Sequence, residues 1–135
     1  MAETEKITIN LGPVDLGKID LLVEQGIYSN RTDLIRTGIR NQIEKHEATI
    51  TDLIVRKHWV LGVEHITRTG LEKRRAAGEQ LSLRIIGMLS IASDVDPELA
   101  METIRTVAVH GAFRAPETVK KALLEREEAR GDDDF

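Results

Sequence analysis

The chain has 135 residues, 41% of them hydrophobic and 3% aromatic, which gives room for one domain or two small ones with an aliphatic core. The absence of cysteine excludes disulfide frameworks and thiolate metal sites, and the net charge of −4 does not by itself favour nucleic-acid binding. The N-terminal residues have no signal-peptide pattern, and no run approaches the roughly 20 apolar residues of a membrane helix. We therefore expect a cytoplasmic protein that makes no contact with a membrane.

The first predicted element is a short strand at residues 5–11, "EKITINL", in which apolar and polar residues alternate strictly. The apolar positions, which we expect to face a core, are Ile7, Ile9 and Leu11. The polar positions, which point the other way, are Lys6, Thr8 and Asn10.

Two helices are predicted to follow this strand. Apolar residues at helical spacing indicate one over residues 14–25, with Gly26 as its left-handed stop. The second is expected from Asn30 to His46, with Asn30 as N-cap and the Asp33 carboxylate returning to the backbone N–H of the cap.

A strand–helix–helix unit of this size is not expected to be stable alone, because its single strand has no partner for backbone hydrogen bonds. No second strand is predicted nearby in the sequence. We expect the partner to be the same strand of a second copy, paired across a two-fold axis.

The segment "KITINL…LGKIDLLVEQGIYSNRTDLIRTGIRNQI" resembles ribbon-helix-helix proteins of the CopG/Arc/MetJ type over residues 5–46. The resemblance implies a transcriptional regulator, an intertwined homodimer whose two-stranded ribbon enters the major groove of double-stranded DNA. It implies base contacts from Lys6, Thr8 and Asn10. It also implies a phosphate contact at the start of the second helix, from Asn30, Arg31 and Thr32.

The chemistry of these residue types agrees with those roles. A two-stranded ribbon fits the major groove, where Lys can donate to guanine, Asn can pair with adenine and Thr can contact a thymine methyl group. A helix N-terminus presents unpaired N–H groups and a positive dipole to an anion. Residues 1–47 nevertheless carry a net charge of −2, so we expect modest affinity from one dimer, helped by cooperative neighbours or by residues 48–75, whose net charge is +3.

The second half of the chain contains three similar windows, "VLGVEHI", "IIGMLSI" and "VHGAFRA", whose glycines are Gly62, Gly87 and Gly111. Each window reads as a strand and precedes a helix-like segment: "LEKRRAAG", "DPELAMETI" and "ETVKKALLE". The pattern predicts a small, solenoid-like β-α repeat with parallel strands, and the whole chain is then an α+β protein. The alternative is a compact α/β domain whose glycine spacing is accidental.

The predicted organisation has four parts. Residues 1–47 form the DNA-binding and dimerisation domain, and 48–58 a linker whose structure the sequence leaves open. Residues 59–128 form a domain for assembly or regulation, which joins dimers into a higher oligomer because a short parallel stack leaves two open edges. Residues 129–135 form an acidic tail within a solvated charge run.

The histidines raise the question of a metal site, since this type of protein includes a nickel-responsive repressor. His58, His65 and His110 show no ligand spacing, and the predicted element order differs from that of the repressor's regulatory domain. We expect no metal, no cofactor and no catalytic residues, since neither a phosphate loop nor a nucleophile set is present.

Three functions fit these patterns. The first is a sequence-specific repressor with a C-terminal oligomerisation domain. The second is an antitoxin whose C-terminal half wraps a toxin, and the third is a partition or architectural protein that coats DNA. The operator, the regulated genes and any effector cannot be read from the sequence.

Overall fold

The computed structural model describes residues 4–131, which form six helices and one three-stranded sheet. They divide into two compact units between Asp52 and Leu53. In the first unit, α1 spans Pro13–Glu24 and α2 spans Arg31–Glu44. The helix α3, Glu47–Lys57, contains the division, so most of the predicted linker is helical.

Both predicted N-terminal helices are present, with the expected signals at their ends. Pro13 is the first residue of α1, and Gly26 follows that helix with a φ of 78°, as predicted for a left-handed stop. In the described residues up to Asp52, however, no residue is buried.

The second unit alternates strands and helices along the chain. Its strands are β1 (Val60–Ile66), β2 (Leu81–Ile91) and β3 (Ile104–Arg114). The helices are α4 (Arg68–Ala77), α5 (Pro97–Thr103) and α6 (Glu117–Arg130). The strands lie in the order β1-β2-β3 and are parallel, as the sequence predicted, whereas the solenoid-like interpretation stays a prediction.

The three spaced glycines lie side by side across this sheet. Gly62 pairs with Gly87, and Gly87 pairs with Gly111, with φ values of 137°, 136° and 122°. A Cβ on Gly87 would collide with the carbonyl oxygen of Gly62, and one on Gly111 would collide with that of Gly87. The regular spacing in the sequence therefore reflects a close backbone approach that only glycine permits.

The second unit has its own aliphatic core, which the helices and one face of the sheet enclose. Its buried members are Leu71, Leu83, Ile85, Leu89, Ile91, Val95, Leu99, Ala100, Ile104, Val107, Val119 and Leu123. Thr103 is also buried, and its hydroxyl donates to the carbonyl of Leu99 at 2.6 Å, which satisfies the hydroxyl within the core.

The end of the chain corrects one expectation. The charge run that contains the acidic tail, "EREEARGDDDF" at residues 125–135, is expected to be solvated, but α6 continues to Arg130 and its side chains bond to the backbone of β3. Arg126 donates to the carbonyl of Ile104, Arg130 donates to that of Arg105, and Glu127 accepts from the N–H of Val107. Residues 132–135 lie outside the described residues.

Candidate nucleic-acid interface

The predicted base-reading segment, residues 5–11, has no strand in the single chain. The polar residues Lys6, Thr8 and Asn10 are exposed there. The apolar residues of the other face are exposed too, with exposed fractions of 72% for Ile7 and 52% for Ile9. The physical reason is that the strands of the described chain all belong to the second unit's sheet, so no strand lies beside this segment to form a β-ladder with it.

The N-terminus of α2 is fixed by side-chain hydrogen bonds. The Asn30 side-chain oxygen accepts from the backbone N–H of Asp33 at 2.8 Å, which confirms Asn30 as the N-cap. The Asp33 carboxylate accepts from the N–H of Ser29 at 3.0 Å, one residue before the predicted Asn30 N–H. The cap therefore holds the chain on both sides of Asn30.

Arg31, predicted to contact phosphate, has an anionic partner in the free chain. Its guanidinium donates twice to the Asp20 carboxylate of α1, at 2.8 Å in each case. This hydrogen bonding holds the pKa of Asp20 below its usual value and raises the pKa of Arg31. Since both side chains are about half exposed, the pair can exchange Asp20 for another anion at little cost.

The three predicted phosphate contacts therefore lie together at one exposed helix terminus. Asn30 is the cap, Arg31 is the first residue of α2, and Thr32 is exposed in the same turn. A helix start with free N–H groups, a positive dipole and an adjacent guanidinium can hold a phosphate oxygen. The sequence alone did not reveal Asp20, because nothing in its own helix indicates a partner eleven residues away.

The three histidines considered as metal ligands, His58, His65 and His110, all lie in the second unit. The His110 ring packs against Trp59 with ring centroids 4.7 Å apart, and the Arg84 guanidinium lies 5.5 Å from the same indole. His65 is on β1, and His58 precedes Trp59 with a φ of 55°. Within residues 4–131, no group of three or more potential ligands is placed to hold a metal ion.

Comparison with known proteins gives the class and then the family. By class the chain is a DNA-binding transcriptional regulator. It belongs to the Ribbon-Helix-Helix transcriptional regulator family, whose model matches residues 2–120. The resemblance identified in the sequence is confirmed, but the match extends far beyond residues 5–46 and includes most of the second unit.

Two further comparisons were negative: neither the curated proteins nor the solved structures contain a match to this chain. Among the helices of residues 4–131, none combines the length and the apolar character that crossing a membrane requires.

Proposed function

We propose that this protein is a repressor that binds specific DNA sequences as a homodimer and inserts a two-stranded ribbon into the major groove. The ribbon forms from residues 5–11 of two chains, paired antiparallel across a two-fold axis. The observation that carries the proposal is the complete lack of a core in the described residues up to Asp52. Two helices with no buried residue need apolar surface from elsewhere.

The exposed apolar residues of the first unit are of the kind that a dimer core requires. They are large, aliphatic and distributed over the N-terminal segment, α1, α2 and the turn between these helices: Ile7, Ile9, Leu11, Val14, Leu21, Ile27, Ile39 and Ile43. Pairing two N-terminal segments brings Ile7, Ile9 and Leu11 of both chains onto one face, where the helices can cover them. The opposite face then carries Lys6, Thr8 and Asn10 from each chain toward the bases.

We assign to the start of α2 the phosphate contacts that position the protein on DNA. Phosphate contacts set the register of a protein on the duplex, whereas base contacts provide sequence preference. The Arg31 guanidinium gives up Asp20 for a phosphate in this proposal, and the α2 N-terminus adds the backbone N–H groups of its first turn.

The second unit supports the repressor over an antitoxin in this proposal. A toxin-binding tail that folds only on its partner has too few apolar residues for a core of its own. Residues 53–131 instead enclose twelve buried apolar residues in one cluster. We assign to this unit the joining of dimers, which raises the affinity for adjacent DNA sites through multivalent binding.

Alanine substitution of the three ribbon residues tests the proposal. Lys6→Ala, Thr8→Ala and Asn10→Ala should each leave the dimer intact, because these side chains point away from the proposed core. Each should weaken specific binding by about 1–3 kcal/mol and relax the base preference at one position of the site, measured by selection of bound sequences and by titration.

Lys18→Ala is the matched control for Lys6→Ala, since it removes the same charge from an exposed position on α1. It should lower affinity slightly for all sequences and leave selectivity unchanged. Unaltered selectivity in all three ribbon variants would exclude the major-groove assignment.

A further inference from the structure

The first glycine of the row, Gly62 on β1, lacks a contact that the other two glycines make. The carbonyl oxygen of Gly62 lies against the Cα of Gly87, and that of Gly87 lies against the Cα of Gly111. Gly62 has the same backbone conformation, with a φ of 137°. Yet within the described chain no heavy atom lies within 4 Å of the place where its Cβ would be. The outer edge of β1 at Gly62 therefore has the same surface that contacts a neighbouring carbonyl at Gly87 and at Gly111.

The exposed residues of β1 indicate the same missing neighbour. The exposed fractions of Val60, Leu61 and Val63 are 48%, 67% and 68%. A strand with unpaired backbone groups and exposed aliphatic residues is a template for another strand, unless something covers it. β1 therefore has both the backbone geometry and the apolar side chains of an unfilled position.

The backbone of β3 is bonded by side chains of α6 in the first half of the strand. The Arg126, Glu127 and Arg130 side chains of α6 bond to its backbone at Ile104, Val107 and Arg105, all in its first half. A strand that continued the glycine row beside β3 would place its own glycine opposite Gly111. If that strand were a β1, its first residue, Val60, would lie opposite Val109, two residues beyond the last of these α6 contacts.

The side-chain rows across the sheet also continue in this register. Val63, Met88 and Ala112 lie in one row, and Leu61, Ile86 and His110 lie in the next. A second β1 beside β3 would add another Val63 after Ala112 and another Leu61 after His110. Val60 and Val63 would then meet the apolar residues Val109 and Ala112, as they meet Ile85 and Met88 on their inner side.

We propose that β1 of one copy pairs with β3 of a second copy, parallel and with Gly62 opposite Gly111, so that the carbonyl of Gly111 lies against Gly62. This inference rests on the proposed self-association of the second unit and specifies its surface and register. The contact joins two different edges, so each copy keeps one of each until the assembly closes on itself. Each added copy brings a further DNA-binding unit into the same particle.

Disulfide trapping tests the register directly, because the chain has no cysteine of its own. In the proposed contact Val63 is opposite Ala112 of the other copy. Within one chain these residues are two strands apart, about 10 Å, which exceeds the separation of about 7 Å that a disulfide can bridge. Full-length Val63→Cys and Ala112→Cys proteins, mixed in equal amounts and mildly oxidised, should form a linked pair with one chain of each kind.

The matched control replaces Ala112→Cys with Ala108→Cys, the same substitution four residues earlier on β3. Since four residues span about 13 Å along a strand, the Ala112→Cys mixture should link at least about tenfold faster than the Ala108→Cys mixture. Equal rates would overturn the register. Val63→Cys linking to itself faster than to Ala112→Cys would also overturn it, because two β1 strands would then be paired.

Light scattering and DNA titration of the same proteins separate this inference from the proposed function. A particle larger than a dimer without the Val63–Ala112 link would leave the assembly role standing and contradict only this contact. A dimer that binds DNA specifically but neither grows nor links would contradict both the contact and the assembly role, while the ribbon assignment would survive.

Discussion

Arg31 pairs with one anion in the free protein and with a different anion in the proposed complex. In the free chain its guanidinium is held by Asp20, and bidentate pairing of this kind fixes its direction. In the proposed complex a phosphate would take the place of Asp20. The exposed position of the pair keeps its strength low, so the exchange depends on salt and on the charge of position 20.

Substitutions of the two partners should therefore act in opposite directions. Arg31→Ala should weaken binding to all sequences alike and reduce the salt dependence by a slope of about 0.9, as expected for one lost phosphate contact. Asp20→Asn should strengthen binding to all sequences, since it removes the carboxylate that competes with phosphate. Titrations at several salt concentrations measure both effects.

Asp15→Asn provides the control, because it makes the same charge change elsewhere on α1. It should strengthen binding by less than Asp20→Asn does. If Arg31→Ala changed base preference and left the salt slope unaltered, the phosphate role of Arg31 would be wrong.

At the scale of single residues, the sequence predicted local partners well and distant ones poorly. Asn30 was identified as the N-cap because its hydrogen bond to Asp33 spans only three residues. The Arg31–Asp20 pair joins two helices whose crossing no local pattern specifies. The α6 side chains gave a similar error, since a run of Arg and Glu looks solvated until the strand beside it is known.

Among the elements, the sequence predicted α1 and α2, the helix that follows each strand of the second unit, and the parallel arrangement of those strands. The spacing of Gly62, Gly87 and Gly111 predicted three equivalent windows, and the structure places those glycines in register. The sequence did not predict the helix α3 or the full length of β2 and β3, which begin several residues before the windows. Those extensions depend on pairing with neighbouring strands, which a single window of sequence does not contain.

The glycine row allows a prediction about the sheet. Gly111→Ala should destabilise the second unit strongly, because the new methyl group combines a strained φ with a collision against the Gly87 carbonyl. Gly62→Ala has the same strain without that collision inside the chain. We expect Gly111→Ala to cost about 1–3 kcal/mol more than Gly62→Ala in denaturant unfolding.

Trp59 reports this unfolding, since it is the only tryptophan and lies buried in the second unit. Repeating the measurement at two protein concentrations shows whether contacts between chains contribute, since such a contribution changes with concentration. Equal costs for the two substitutions would show that the close carbonyl approach does not constrain the sheet.

At the scale of the whole molecule, the two units differ in what a single chain can stabilise. The second unit encloses its own core, whereas the first buries no residue in its described part. Family membership now covers both units, although the sequence resemblance was confined to the first. The reason is physical: ribbon residues and helix caps leave short recognisable patterns, whereas an aliphatic core can be built from many interchangeable residues.

This difference predicts two unfolding transitions with different responses to dilution. In the proposed dimer the helices of the first unit are stabilised by a second chain, so their unfolding midpoint in denaturant should rise with protein concentration. Each tenfold increase in concentration favours the dimer by about 1.4 kcal/mol. Trp59 fluorescence should keep its folded signal at dilutions where far-ultraviolet circular dichroism has already lost the signal of α1 and α2. The control is a duplex carrying the selected site, which should restore the lost helical signal at the same dilution by stabilising the dimer. A first transition that does not move between about 1 μM and 100 μM would show that the first unit is stable as a monomer, and the ribbon dimer would then be contradicted.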